Sequence, residues 1–224
     1  PQNLILDGGT LRYTGESAAT DRGAKLLMPS TLEITDANAA LEAKGHFEGT
    51  GSLTLDGNGT LVINDANNFF GYTGSTILKG GTLSFKDVEN ASKAFGSLGK
   101  KVVMSGGTLQ FAYKKEDKQT HSFPIEVAEG TSSTIKCPSH GTLKSVISGT
   151  GDLTLEIPYL RYYVNSSFAD FDGQLYIKGI PMSGENVLFM NESKFNSPNL
   201  RVNLSDKTWM GAWTTNADNV VGGI

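Results

Sequence analysis

The chain has 224 residues, 19 Lys plus Arg against 23 Asp plus Glu, a formal net charge of −4, and a single cysteine. That balance leaves no basic footprint for nucleic acid. No stretch reaches the ~18 consecutive apolar residues of a membrane helix, and the lone Cys137 cannot close an internal disulfide and reads as a buried or inert thiol. Gly, Thr, Ser and Asn together supply 83 of the 224 residues, a composition that favours short strands ended by tight turns over a helical bundle.

In chain order, the first predicted strand pattern runs from Leu4 through Gly8-Gly9-Thr10-Leu11-Arg12-Tyr13. Ser52-Leu53-Thr54-Leu55 and Thr60-Leu61-Val62-Ile63 follow with strict alternation, which puts Leu53, Leu55, Leu61 and Ile63 on one face each. Thr76-Ile77-Leu78, Gly81-Thr82-Leu83-Ser84-Phe85 and Gln174-Leu175-Tyr176-Ile177 repeat the theme. Asp56-Gly57-Asn58-Gly59, Asn64-Asp65-Ala66-Asn67-Asn68 and Lys79-Gly80-Gly81 lie between them as turns able to take left-handed backbone angles. Residues 86–101 read as a short helical turn or loop, and 112–122, with Lys114-Lys115-Glu116-Asp117-Lys118, as a solvated charged loop.

The order of these segments repeats. Leu4–Tyr13 matches Val102–Phe111 at an offset of 98, and Phe47–Leu55 matches Ile147–Leu155 at 100. Tyr72-Thr73-Gly74 through Gly80 matches Phe171-Asp172-Gly173 through Gly179 at 99. Two units result, about 2–99 and 100–198, with the start of a third over about 199–224. Strand and turn recurring every 20–25 residues predict a parallel β-helix of about ten coils. A β-sandwich is the competing architecture, but it leaves the hundred-residue repeat unexplained. The strand pattern starts at Asn3 and still runs at Val220-Val221 without a polar cap, so the chain is expected to be one segment of a longer rod. With no signal-like stretch at Pro1, a secreted protein would appear here already processed.

Gly49-Thr50-Gly51-Ser52-Leu53-Thr54-Leu55, Gly59-Thr60-Leu61-Val62-Ile63, Tyr72-Thr73-Gly74-Ser75-Thr76 and Gly80-Gly81-Thr82-Leu83 resemble the autotransporter-associated β-strand repeat. The resemblance is close over most of 2–85, looser over 101–179 and weak over 180–224. It implies a right-handed parallel β-helix on a secreted or surface-exposed protein of a Gram-negative bacterium, used as a stalk, passenger scaffold or adhesin body.

Where the first unit has Leu61-Val62-Ile63, the second has Leu160-Arg161-Tyr162, which turns Tyr159, Arg161 and Tyr163 outward. Such a stripe could stack on a sugar or anchor a protein. Catalytic constellations are weaker. Glycoside hydrolysis needs two facing carboxylates; the candidate pairs are Asp170 with Asp172, Asp21 with Glu33, and Glu116 with Asp117, the first better explained as turn capping. A polysaccharide lyase needs a base near clustered acids, but Arg22, Arg161 and Arg201 fall in separate coils. His46, His121 and His140 lack metal-ligand spacing and read as loop or turn residues. No catalytic residue, metal or cofactor is therefore assigned.

The expected function is a non-enzymatic scaffold or adhesin segment that presents loops, chiefly 112–122, to a host or matrix glycan or surface protein. A carbohydrate-binding module centred on Tyr159, Arg161 and Tyr163 is the alternative, and a lyase or glycoside hydrolase comes third. Further partners are neighbouring repeats of the same chain; nucleic acid and membrane insertion are not expected.

Overall fold

The computed structural model describes residues 4–64, 70–86, 101–111, 119–137, 141–157, 161–179, 186–191, 197–205, 208–213 and 221–223, and all their regular structure is β. The first turn comprises β1 (Leu4–Asp7), β2 (Thr10–Tyr13) and β3 (Ala18–Thr20), and the second β4 (Ala24–Met28), β5 (Ser30–Ile34) and β6 (Ala40–Ala43). The third is β7 (Phe47–Gly49), β8 (Leu53–Gly57) and β9 (Thr60–Ile63), and the fourth β10 (Phe70–Tyr72), β11 (Thr76–Leu78) and β12 (Thr82–Phe85). A turn with two described strands follows, β13 (Val102–Met104) and β14 (Thr108–Gln110). Three full turns come next. They are β15 (Gln119–His121), β16 (Ile125–Val127) and β17 (Ser132–Lys136); β18 (Gly141–Leu143), β19 (Val146–Gly149) and β20 (Asp152–Ile157); and β21 (Arg161–Val164), β22 (Ser167–Phe171) and β23 (Gln174–Gly179). The last two turns are β24 (Asn186–Asn191) with β25 (Ser197–Leu204), and β26 (Thr208–Trp213) with β27 (Val221–Gly223).

Each strand stacks in parallel on its equivalent one turn away. The sheets run β1-β4-β7-β10, β2-β5-β8-β11-β13-β16-β19-β22, β3-β6-β9-β12-β14-β17-β20-β23-β25-β27 and β15-β18-β21-β24-β26. The fold is a parallel β-solenoid, and parallel stacking removes the sandwich, whose sheets are antiparallel. Of these ten turns, seven carry all three strands among the described residues. The ten-stranded sheet spans about 43 Å at ~4.8 Å per rung.

The core follows from alternation plus register. Leu41, Leu61, Leu83, Leu109, Ile135, Leu155 and Ile177 occupy one column of the ten-stranded sheet, which ends on the exposed Leu204. Leu32, Leu55, Leu78, Met104 and Val127 form another in the eight-stranded sheet. Leu53, Leu55, Leu61, Ile63, Leu153 and Leu155 are all buried, on the face the alternation predicts.

The Gly-x-Gly corners have a geometric cause. Gly49 has φ +110°, and the Leu26 carbonyl one turn below accepts both the Thr50 N–H at 3.0 Å and the Gly51 N–H at 3.1 Å. A Cβ on Gly49 would lie 2.1 Å from that oxygen. Gly149 repeats the device with φ +104° and the Val127 carbonyl at the same 2.1 Å from an added Cβ. Only glycine allows both the left-handed angle and the backbone approach.

The hundred-residue repeat does not return to the same face. Leu4–Leu6 lies in the four-stranded sheet and its counterpart Val102–Met104 in the eight-stranded one. Leu53–Leu55 lies in the eight-stranded sheet, whereas Leu153–Leu155 lies in the ten-stranded one. The second unit is thus advanced by one side of the coil, because the motif encodes a corner between two strands and not a particular face.

Two expectations are corrected. The far end of the loop 112–122 is strand β15, which pairs in parallel with β18, and His121 in it is buried instead of lying in a loop. Residues 112–118, and 87–100 in the expected helical turn, lie outside the described residues.

Candidate functional site

In-register stacking converts one outward side chain per strand into a row. On the ten-stranded sheet Thr60, Thr82, Thr108, Thr134 and Thr154 stand on five consecutive rungs, each half-buried, and Tyr176 and Asn203 continue the row. Alternation in Gly-Thr-Leu and Leu-Thr-Leu segments carries the signal for this row, but only the register joins segments 20–27 residues apart.

On the eight-stranded sheet the row is ionic. Arg12 donates to Glu33 at 2.8 Å, and Lys79 donates to Asp56 at 2.9 Å, Glu33 and Asp56 being rung neighbours. The Lys79 ammonium holds the Asp56 carboxyl below the usual carboxylate range, helped by the Gly57 N–H, and Asp56 raises Lys79 in turn. Glu42 is likewise lowered, first by its hydrogen bond from Lys86. Lys101 pairs with Glu126 in the same exposed manner. The lowered Asp56 and Glu42 carboxyls are tied to lysines, the opposite of a raised-pKa general acid. Of the candidate acid pairs, Glu33 is thus engaged by Arg12, and Asp170 is exposed near the end of β22, where the Asp172 N–H donates to the Gly149 carbonyl. Glu116 and Asp117 lie outside the described residues. No group of three or more His, Cys, Asp or Glu among the described residues is placed to hold a metal.

The Tyr–Arg–Tyr stripe falls at β21. Tyr162 is 1% exposed and fills the core, while Tyr163 is half-buried with Thr142 and Phe189 as its rung partners. Arg161 opens the strand opposite Val187, and Tyr159 lies outside the described residues.

Behind this sheet lies a buried polar group of residues. His121 stacks on Phe111 with ring centroids 3.6 Å apart, and its Nδ1 has no hydrogen-bond partner. Burial lowers its pKa to about 3. Burial likewise pushes the Cys137 thiol up to about 12, and raises Tyr162 beside it well above the phenol range. At neutral pH all three are neutral packing groups. Cys137 is the buried, inert thiol expected of it.

These observations define the class: a parallel β-solenoid whose interior is structural and whose outer faces carry ordered side-chain rows. Fold and sequence together fit an autotransporter-associated β-helix passenger. Over 97 residues, 43% of this chain, the sequence is 40% identical to the adhesin BmaC autotransporter of Brucella suis biovar 1 (strain 1330). The matched stretch, close in length to one hundred-residue unit, spans 3% of that relative. No family model matches the chain, and no solved structure matches it.

Proposed function

We propose that this chain is a non-enzymatic passenger segment displayed on, or secreted from, a Gram-negative bacterium. It serves as a rigid scaffold that holds outer rows and loops out for attachment to a cell surface or matrix. The observation that carries this reading is the 40% identity over 97 residues to a protein named as an adhesin autotransporter, on a chain that folds as a solenoid. In this reading residues 1–224 act as one rod built of units about 2–99 and 100–198 with part of a third. Tyr159, Arg161 and Tyr163 form its contact patch toward a host or matrix glycan or surface protein. The burial of Tyr162 beside half-buried Tyr163 supports that assignment.

Beads coated with the folded chain should adhere to cultured epithelial cells or matrix-coated plates above beads coated with the heat-denatured chain. Tyr163→Ala should weaken that adhesion. Adhesion no better than the denatured coat contradicts the attachment role, and release of reducing ends or unsaturated uronates from a polysaccharide panel contradicts the non-enzymatic one.

A further inference from the structure

The outer face of the ten-stranded sheet carries a row to which the attachment reading assigns no ligand. Five Thr hydroxyls stand in register on Thr60, Thr82, Thr108, Thr134 and Thr154, about 4.8 Å apart per rung. Among the described residues none of these hydroxyls takes a protein hydrogen-bond partner. Their half-burial in the sheet restricts χ1 of each β-branched side chain, so the donors and acceptors are held in place.

At the C-terminal end the row changes from hydroxyls to an aromatic platform. Tyr176 is 37% exposed, and its hydroxyl donates to Gln174 Oε1 at 3.0 Å. A bond between residues two apart on one strand lays the ring along the strand. Asn203 Nδ2 donates to the same oxygen at 3.4 Å. The sharing leaves Gln174 Nε2 as a donor and Asn203 Oδ1 as an acceptor. A groove of about 280 Å³ opens here, lined by Thr154, Tyr176, Lys178, Asn203, Leu204 and Ser205. That volume suits about one sugar ring and lies just under the usual range for small-molecule sites.

The chemistry of this surface selects its ligand. β23 is paired on both sides, by β20 and β25, so the face offers no backbone edge to an incoming peptide strand. Lys178 lies 3.8 Å from Glu156, which offsets its charge, and Asp152 stands on the rung before Gln174 with its carboxylate accepting the Gln174 N–H at 3.3 Å. Nothing here selects a polyanion. What remains is one aromatic ring, two amides and a ruler of hydroxyls, the groups that pack against the apolar face of a pyranose and hydrogen-bond its hydroxyls. The rung spacing is also close to the advance per residue of an extended β-linked pyranose chain.

We propose that this face binds a linear, uncharged glycan, one pyranose packed on Tyr176 between Gln174 and Asn203 and the following rings hydrogen-bonded along the threonine row. The site lies on a different sheet from Arg161 and Tyr163, so the two assignments stand or fall separately.

The test uses the intact chain and calorimetric titration with cellohexaose, mannohexaose and chitohexaose, with hexagalacturonic acid as the charged comparison. At least one neutral hexasaccharide binds, and its trimer binds more weakly. Tyr176→Ala weakens binding by about tenfold or more, and Thr154→Val, which keeps the β-branched shape, weakens it severalfold. Lys25→Ala, at an exposed position of β4 on another sheet, leaves binding unchanged. If Tyr176→Ala loses the far-ultraviolet spectrum of the wild type, Asn203→Ala takes its place with the same expected direction. Binding of none of the neutral oligosaccharides overturns the proposal. So does binding that prefers hexagalacturonic acid, or binding untouched by the substitutions at positions 154, 176 and 203.

Discussion

His121 shows how a residue type misleads when its neighbours are unknown. Its spacing from the other histidines pointed to a turn, yet it sits in β15 with its ring on Phe111. The partner lies ten positions away across residues whose polar composition announces a loop, so nothing local signalled the stack. The consequence is a pH dependence with a definite sign. The unfolded chain protonates this imidazole near pH 6.5, the folded one only near pH 3. Between those values the unfolded state binds more protons, so stability falls as pH falls through the window. Glu42 and Asp56, whose pKa values are lowered, add stability that is lost mainly below about pH 5, in the lower part of that window, which leaves the interval from pH 7 to pH 5 to the histidine. From pH 7 to pH 5 the histidine alone should cost about 2 kcal/mol, read from urea midpoints. His121→Phe, which keeps an aromatic ring on Phe111, should lose much less over the same interval; an equal loss in both proteins contradicts the account. The glycines were more legible. Gly-Thr-Gly at 49–51 and 149–151 announced turns, but the reason for the second glycine of each motif appears only once the coils are stacked: an added Cβ would lie 2.3 Å from the Met28 carbonyl oxygen at Gly51 and 2.1 Å from that of Ala128 at Gly151.

At the scale of the strand, period-2 alternation was sufficient to place most side chains. In β20 it sends Leu153 and Leu155 inward, both 0% exposed, and Thr154 outward. Leu153→Ala should therefore cost about 2–5 kcal/mol, from lost transfer energy and the cavity left behind. Thr154→Ala should cost less than about 1 kcal/mol, since it removes one outer cross-strand contact on each side. Chemical denaturation of the two variants checks this, and similar costs would mean that the facing is wrong. The exposed pairs Arg12–Glu33 and Lys79–Asp56 order the outer row more than they stabilise it, because solvent screens such contacts. What alternation could not supply is the neighbour across the rung. Tyr176 reads in sequence as one more outward residue of Gln174–Ile177. Its place at the end of a threonine row depends on register with Thr154, 22 positions earlier, and Asn203, 27 later. The stripe at 159–163 drew notice because its aromatic residues are adjacent, which is the only proximity a sequence displays.

For the whole molecule, the solenoid was legible because its repeat is in the chain itself. Strand-corner-strand segments recur too regularly for a sandwich, and the hydrogen bonds between neighbouring coils span 19–29 residues. The hundred-residue period was real but described corners, so a third of a turn separates matching segments of the two units. Each turn touches chiefly its neighbours, which makes stability a sum of local interfaces and the molecule a spacer of fixed rise. Attachment by such a body, through β21 or through the threonine row, requires that outer side chains keep their ladder positions. The central claim is therefore the parallel stack, and distances between spin labels along one row test it most directly. With Cys137 replaced by Ser, labelled cysteine pairs at Thr60 and Thr154 lie four rungs apart, and at Thr60 and Asn203 six. Pulsed electron paramagnetic resonance should give backbone separations of about 19 Å and about 29 Å, scaling with rung number at ~4.8 Å each. Separations that do not grow with rung number, or a Thr60–Asn203 distance shorter than Thr60–Thr154, would contradict the solenoid.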